Sequence, residues 1–256
     1  MFEPIKALGQ NFLIDSETII KMVDYLEPVD GDLIVEVGPG LGALTEELSN
    51  RLLENHSEVY AIEIDKRFVS KLKNMFLDAF NVNIVEGNIL DWLPNFKPNK
   101  AYKILGSLPY YITSPIIHTI IKAPKQAETV VILIQKEVGE KVAAKVPDAT
   151  YFSSFVQTFY DVAYLETVPK TNFDPVPEVD GAIIKMKKLP AQNIAAGLVE
   201  KYEGFLHKGY ANPRKMLNKA FSKEELQLAG VDGSLRPQDI DVDKWVEMFN
   251  KLVLGI

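Results

Sequence analysis

The sequence feature that most constrains the fold is the alternation of short β-rich runs with helical stretches through about residue 188. Strands are predicted at residues 33–37, 59–64, 82–86, 102–105, 129–134, 162–166 and 182–186. Between them, residues 44–53, 68–76 and 116–121 carry apolar side chains at helical spacing. Because crossover helices join parallel strands, the pattern predicts an α/β fold with one mostly parallel, seven-stranded sheet.

The pattern of predicted strands and helices changes near residue 190. A proline-rich loop over residues 168–178 joins the last two predicted strands and has no room for a crossover helix, so we expect the last strand to be antiparallel. After residue 190 the strand signals end, and helices are predicted at 192–208, 213–229 and 242–253. We therefore expect an α/β domain over residues 1–188 and a small all-α domain over residues 189–256.

The composition excludes several classes of protein. No apolar run approaches the roughly 18 residues of a membrane span. The absence of cysteine and the wide separation of the three histidines argue against a metal site, and the absence of cysteine fits a reducing compartment. Residues 1–6 lack a basic segment followed by an apolar one, so we expect a soluble cytoplasmic protein with no membrane association.

The charge of the chain is unevenly distributed. A net charge of -7 argues at first sight against a nucleic-acid partner. Residues 201–223, however, contain six Lys and Arg residues against one Glu, a net charge of +5. On a helix that starts at Pro213, Lys215 and Lys219 would lie one turn apart on one face. An ordinary solvated helix face is the alternative to a nucleic-acid surface.

A glycine-rich turn follows the first predicted strand. Gly38, Gly40 and Gly42 stand between residues 33–37 and a helix start, and glycine lets the backbone pass close to a bound ligand. The third glycine comes one place too early for the dinucleotide fingerprint, which makes a pyrophosphate site the weaker interpretation. Glu63, at the end of the second strand, is suited to accept hydrogen bonds from both hydroxyls of an adenosine ribose. An adenosine cofactor is expected, and the antiparallel last strand favours S-adenosylmethionine over NAD.

The segment after the fourth strand, Gly-Ser-Leu-Pro-Tyr-Tyr over residues 106–111, suits a planar amine. The exocyclic amine of adenine is a poor nucleophile because its lone pair is delocalised into the ring, and two hydrogen-bond acceptors on its N–H groups help to localise that pair. The Ser107 hydroxyl and the Leu108 carbonyl are the candidate acceptors, while Pro109 fixes the turn and Tyr110 can stack on the base. The alternative is a strand-ending turn capped by Ser107.

With these motifs the chain resembles the bacterial small-subunit (16S) ribosomal RNA adenine N6,N6-dimethyltransferases, relatives of the macrolide-resistance rRNA methyltransferases and of mitochondrial transcription factor B. The resemblance rests on the Gly38 loop, Glu63 and residues 8–15, 107–115, 135–137, 168–181 and 213–215. It implies a Rossmann-like methyltransferase sheet, S-adenosylmethionine as cofactor, and a monomer without metal. The implied substrate is the 3′-terminal hairpin of small-subunit rRNA, or of its precursor subunit, dimethylated at two adjacent adenosines during ribosome assembly.

The resemblance also implies roles for single residues. It assigns cofactor contacts to Asn11, Leu13, Gly38, Gly40, Glu63, Asn88 and Ser107. It adds Phe173 to the catalytic set of Ser107, Leu108, Pro109 and Tyr110, with Tyr110 on one face of the target adenine and Phe173 near the other. The expected RNA contacts are Lys208, Arg214, Lys215 and Lys219.

Two positions depart from the family pattern, which has Asn where Ser107 stands and Asp where Asn88 stands. Serine has a shorter arm, so its contact would be longer or run through water, and a neutral amide forms a weaker hydrogen bond than a carboxylate. These departures leave open a weakly active or non-catalytic ribosome-assembly or transcription factor. A large-subunit rRNA methylase of the macrolide-resistance type is the other alternative, although residues 213–217 and 234–237 favour the small subunit.

Overall fold

The computed structural model of the chain describes residues 9–52, 56–191 and 193–256. Four features of the sequence predictions lie outside the described residues. They are residues 1–6, Leu8 of the 8–15 motif, the predicted helix end at Leu53 and the predicted helix start at Gln192.

Seven strands form one large sheet. They are β2 (Leu33–Val37), β3 (Glu58–Glu63), β4 (Val82–Glu86), β5 (Lys103–Ser107), β6 (Thr129–Gln135), β7 (Tyr160–Val168) and β9 (Gly181–Lys188). Their order across the sheet is β4-β3-β2-β5-β6-β9-β7. All seven predicted strands are confirmed, with ends that shift by at most two residues. The pairs β2–β3, β3–β4, β2–β5 and β5–β6 are parallel. The antiparallel last strand is also confirmed, because β9 runs antiparallel to β6 with Ile132 opposite Ile184.

A second, two-stranded sheet was not predicted. In it β1 (Phe12–Leu13) pairs antiparallel with β8 (Phe173–Asp174), and Leu13 lies opposite Phe173. The backbone N–H of Ile14 donates to the Asn172 carbonyl at 2.9 Å, which continues the pairing. Two-residue strands carry no readable periodicity, so the sequence gives no sign of this link between distant segments.

One helix precedes the first strand of the large sheet, and others connect its strands. They are α1 (Ser16–Leu26), α2 (Ala43–Arg51), α3 (Lys66–Met75), α4 (Ile89–Trp92), α5 (Thr113–Lys122) and α6 (Lys136–Ala143). The predictions at 44–53, 68–76 and 116–121 correspond to α2, α3 and α5, whereas α1, α4 and α6 were missed. Helix α1 begins where the Asp15 side chain accepts a hydrogen bond from the Thr18 N–H at 2.9 Å. None of the helices in the described part of the chain has the length and apolar composition that crossing a membrane requires.

The chain divides into two compact units. The first contains the described residues up to Gly139 and Ala163–Lys188, and the second contains Glu140–Val162 and the described residues from Leu189 onward. The expected domains, 1–188 and 189–256, therefore differ from the structure at Glu140–Val162. Helix α7 (Tyr151–Gln157) in that segment packs on α8 (Val199–Tyr210), and the Ser154 hydroxyl lies 2.9 Å from the Tyr210 hydroxyl.

The second unit also contains α9 (Lys223–Ala229) and α10 (Val242–Phe249). The predicted helices at 192–208 and 242–253 correspond to α8 and α10, whereas only residues 223–229 of the predicted helix at 213–229 form an α-helix, which is α9. Residues 211–216 form an exposed turn, and a short 3-10 helix follows at Leu217–Lys219. The Leu217 N–H donates to the Leu235 carbonyl at 2.8 Å, and a capping box between Ser222 and Glu225 starts α9. Lys215 and Lys219 therefore do not lie one helical turn apart.

Candidate active site

One cleft at the carboxyl ends of the parallel strands gathers the predicted cofactor residues. Its empty volume, including the part open to solvent, is about 970 Å³. The carboxyl edge of such a sheet is where nucleotide ligands bind. Every residue with a predicted cofactor contact lines this cleft: Asn11, Leu13, Gly38, Gly40, Glu63, Asn88 and Ser107.

The glycine loop forms one wall of the cleft. Gly40 has φ +55°, a left-handed conformation that favours glycine, and a Cβ there would lie 3.2 Å from the Phe12 ring. Gly42, at φ +94°, precedes α2, and a Cβ there would come within 2.9 Å of a methyl group of Leu72. A side chain at either position would therefore strain the loop and disturb the packing beneath it.

Glu63 is held by the backbone of this loop. One carboxylate oxygen, Oε2, accepts from the Gly40 N–H at 3.0 Å, and Oε1 accepts from the Asp65 N–H at 2.8 Å. Burial raises the pKa of Glu63, while both backbone hydrogen bonds oppose that shift. Each oxygen of an ionised carboxylate keeps further accepting capacity, so Glu63 can also accept from the hydroxyls of a ribose.

A second acidic residue, Glu36, is buried in β2, directly before the glycine loop, and was not predicted as a functional residue from the sequence. Glu36 is 1% exposed in the middle of β2, and its Oε2 accepts from the Thr45 hydroxyl at 2.6 Å. Its Oε1 has no hydrogen-bond partner among the described residues. Burial raises the pKa of Glu36 to about 8. A single acid within the apolar run Leu33–Val37 was the signal that could have identified it.

The segment around Asn11 closes one side of the cleft. Gln10 Nε2 donates to Asp65 at 2.9 Å, and the Phe12 ring packs edge-on against Phe68 with 5.4 Å between ring centroids. The hydrogen bonds from Arg67 hold the pKa of the Asp65 carboxyl down at about 2. The 9–13 segment is thus attached to the loop after β3, in addition to its pairing with β8.

Asn88 lines the cleft and also caps a helix. Its Oδ1 accepts from the Leu90 N–H at 3.0 Å and caps the N-terminus of α4. The side-chain oxygen that Asn88 can offer a cofactor therefore already has one donor. What Asn88 still offers a ligand is the second lone pair of that oxygen and its amide N–H groups.

The predicted catalytic loop begins at the end of β5. Ser107 and Pro109 line the cleft, whereas the Leu108 side chain is buried and the Leu108 N–H donates to the Leu133 carbonyl at 2.9 Å. Gly106 precedes them, and a Cβ there would lie 2.7 Å from the Val37 carbonyl oxygen. The loop is therefore fixed to both neighbouring strands.

Neither of the two aromatic residues expected beside the target adenine is part of the cleft lining. Tyr110 does not line the cleft; its buried hydroxyl has no hydrogen-bond partner in the described chain, and burial together with Asp180 raises its pKa to about 12. Tyr111 lines the cleft instead and is 59% exposed. Phe173 is 2% exposed in the core cluster that contains Leu13 and Leu133, away from the cleft lining. The structure thus brings Ser107 and Pro109 to the cleft, but not the side chains of Leu108, Tyr110 and Phe173.

The four predicted RNA contacts in the second unit fall into two groups. Lys208 pairs with Glu225 at 2.8 Å and lies 4.6 Å above the centre of the Phe221 ring. Arg214, Lys215 and Lys219 are exposed and form no ion pair with a described residue. Three cations are therefore available to an external anion, whereas the charge of Lys208 is largely balanced within the unit.

The cleft suits an adenosine cofactor better than a metal. Its polar groups include the glycine-loop backbone, the Glu63 carboxylate and the Asn88 amide, and its lining also contains apolar residues such as Ile62 and Ile89. Across residues 9–52, 56–191 and 193–256, no group of three or more His, Cys, Asp or Glu side chains could hold a metal ion. Backbone that can approach a ligand closely and an acid that can bind ribose match an adenosine group.

Comparison with known proteins agrees with the geometry. The family model described as ribosomal RNA adenine dimethylase matches residues 1–253. A protein of Sulfurihydrogenibium sp. (strain YO3AOP1), named ribosomal RNA small subunit methyltransferase A, is 38% identical over 96% of this chain and 95% of its own length. A protein of the same name from Persephonella marina is 34% identical, over 99% of this chain and 95% of its own.

Solved structures share the fold. The crystal structure of the 23S rRNA methyltransferase ErmE superimposes with a TM-score of 0.75 at 25% identity, covering 94% of this chain and 99% of that one. A dimethyladenosine transferase from Plasmodium falciparum has a TM-score of 0.78 at 22% identity, covering 94% and 98%. With a family model that spans almost the whole sequence, the chain belongs to the ribosomal RNA adenine dimethylase family.

Proposed function

We propose that this chain transfers methyl groups from S-adenosylmethionine to N6 of two adjacent adenosines in the 3′-terminal hairpin of small-subunit rRNA. The observation that carries the proposal is the gathering of all seven expected cofactor residues in one cleft, with Ser107 and Pro109 at its lining. The names of the Sulfurihydrogenibium and Persephonella relatives support the small subunit as substrate. The protein would act on the subunit precursor during ribosome assembly, as a monomer in the cytoplasm.

On the cofactor side, the bound sulfonium supplies an electrophilic methyl group. Glu63 accepts hydrogen bonds from the ribose hydroxyls while its own position is fixed by the Gly40 and Asp65 N–H groups. The loop at Gly38 and Gly40 lets the backbone approach the ligand, and Asn88 contributes its amide at the base end. Asn11 and Leu13 close the opposite side of the cleft.

On the target side, the chain positions an amine rather than removing its proton first. The Ser107 hydroxyl and the Leu108 carbonyl accept hydrogen bonds from the two N–H groups of the adenine amine, which localises the nitrogen lone pair. Catalysis then depends mainly on alignment with the methyl group and on exclusion of water. After transfer the amine releases its proton to water, so no histidine is required as a general base.

The target adenine must leave its stack to reach Ser107. Extrusion of a base costs roughly a few kcal/mol, and less from a hairpin loop than from a duplex. We assign Tyr110 to one face of the extruded adenine and Phe173 to the region of the other. Tyr110 is half-buried and its hydroxyl is fully enclosed, whereas the Phe173 ring is buried, so the assignment of Phe173 requires its side chain to become accessible when RNA binds.

The second unit would bind phosphates of the RNA. Arg214, Lys215 and Lys219 are exposed and have no acidic partner among the described residues, so they carry the greater part of this role. Lys208 belongs to the same surface, but its pair with Glu225 reduces the charge that it presents. Concentrating positive charge here on an otherwise acidic chain favours a structured ribosomal target over stray RNA.

A large-subunit methylase is the second candidate, because ErmE, named as a 23S rRNA methyltransferase, shares the fold over nearly the full chain. A non-catalytic factor is the third, on account of Ser107 and Asn88. Incubation with methyl-labelled S-adenosylmethionine and unmethylated ribosomal subunits separates all three. The proposal predicts label in small-subunit rRNA; label in large-subunit rRNA alone favours the second candidate, and cofactor binding without transfer favours the third.

A further inference from the structure

Three aromatic rings in the second unit form a column that ends at the surface. Phe155 is fully buried, and the Tyr151 ring lies nearly parallel to it, with 6.2 Å between centroids and 9° between planes. The imidazole of His207 stacks on Tyr151 at 4.0 Å and 22°. His207 is exposed, so the column runs from the core to solvent.

The inner rings of the column are held in place. The Tyr151 hydroxyl donates to Glu203 at 3.1 Å, and Tyr210 packs edge-on against the Tyr151 ring at 6.4 Å. His207 lies on α8, one turn after Glu203. Among the described residues, Tyr151 is the only ring that stacks on His207, and the histidine is itself exposed to solvent.

Positive charge follows His207 directly in the chain. Helix α8 ends at Tyr210, and the exposed turn at residues 211–216 carries Arg214 and Lys215. Neither cation forms an ion pair with a described residue. A flat, preorganised ring close in sequence to unpaired cations is the combination with which proteins bind unpaired nucleotides: the ring stacks on a base and the cations bind the phosphates.

We propose that His207 is a stacking platform for one unpaired base of the RNA, with Arg214 and Lys215 holding the adjoining phosphates. The inference rests on the proposed RNA-binding role of the second unit and adds a base contact to it. Tyr151 and Phe155 act through His207, because they fix the plane in which the imidazole is presented. The contact adds affinity for an unstacked nucleotide.

The test measures binding of the full chain to unmethylated small subunits over a range of salt concentrations. Base–aromatic stacking is strong enough that His207→Ala should weaken binding about tenfold and leave the salt slope unchanged. His207→Phe, which keeps a flat ring, should bind as the wild type does. His207→Lys, which adds charge without a ring, should lose affinity relative to His207→Phe. His56→Ala removes an exposed histidine from the first unit and is the matched control.

Each result has one meaning when thermal melts of the variants are measured in parallel. Equal binding by His207→Ala and wild type overturns the inference, and so does equal weakness of the Ala and Phe variants. If Lys215→Glu weakens binding while His207→Ala does not, the second unit binds RNA as proposed, but His207 does not stack on a base. If neither variant weakens binding, the RNA-binding role of the second unit fails with it.

Discussion

Gly106 lies so close to Val37 that a Cβ on Gly106 would stand 2.7 Å from the Val37 carbonyl oxygen. The two residues are on neighbouring parallel strands, β5 and β2, just before the catalytic loop and the glycine loop begin. The obstructing atom belongs to the backbone and cannot rotate away. This contact sets the spacing between the two loops that would hold target and cofactor.

Gly106→Ala should therefore destabilise the fold. Forcing a methyl group into a packed site costs about 1–3 kcal/mol, which for a chain of this size lowers the melting temperature by about 2–10 °C. Gly87→Ala is the matched control, because a Cβ at Gly87 meets no atom within 4 Å and its φ is not positive. Similar melting temperatures for the two variants in thermal denaturation would refute the contact.

Glu36 should make stability depend on pH. The pKa of Glu36 is about 8 in the folded protein, against 4.5 for an ordinary glutamate such as that of the unfolded chain. The folded protein therefore holds this proton more tightly than the unfolded chain does. The resulting stabilisation is complete below pH 4.5 and is lost as the pH rises through 8. The free energy of unfolding should fall by up to about 1.4 kcal/mol per pH unit within that window.

Glu36→Gln isolates this effect because glutamine has nearly the same shape and does not titrate. Measured from pH 5 to pH 8.5, the melting temperature of the wild type should fall relative to that of Glu36→Gln. A difference between the two proteins that stays constant over this range would show that Glu36 is not protonated in the fold.

Ser107→Asn should retain methyl-transfer activity or raise it up to about fivefold, because the longer amide arm shortens a hydrogen bond worth about 1 kcal/mol. Ser107→Ala, which removes the acceptor, should lower kcat/KM by a similar factor. Steady-state kinetics with unmethylated small subunits provides the measurement. A large loss in the Asn variant would mean that serine is a specialised replacement and that the assigned contact is wrong.

Lys215→Glu should weaken binding to small subunits and flatten its dependence on salt, since phosphate contacts release counterions. Lys208→Ala should weaken binding less than the matched variant Lys215→Ala does, because Lys208 already pairs with Glu225 at 2.8 Å. Binding isotherms at several salt concentrations distinguish the variants. Equal effects of the two alanine substitutions would contradict the division of this surface into free and paired cations.

Local patterns predicted much of this molecule. The alternation of apolar runs and helical stretches predicted all seven strands of the sheet, and the structure brings the predicted glycine loop and Glu63 together in one cleft. These features were readable because each is encoded within a few neighbouring residues.

Features that depend on contacts between residues far apart in the chain could not be predicted from the sequence. The pairing of Leu13 with Phe173 joins segments 160 positions apart, and Lys208 meets Glu225 across a turn. The first part of the expected helix at 213–229 does not form, because the backbone N–H groups of Leu217 and Asn218 donate hydrogen bonds to carbonyls of the loop at residues 233–235. Tyr110 and Tyr111 are neighbours in a 3-10 turn, and of the two only Tyr111 lines the cleft, which the sequence alone did not indicate.

Mass spectrometry of nucleosides from small-subunit rRNA, after incubation of unmethylated subunits with the protein and S-adenosylmethionine, tests the proposed dimethylation most directly. We expect N6,N6-dimethyladenosine at two adjacent positions of the 3′-terminal hairpin, with little formed by Glu63→Ala. No methylated adenosine, from a protein that binds both cofactor and subunit, would contradict the proposed dimethylation.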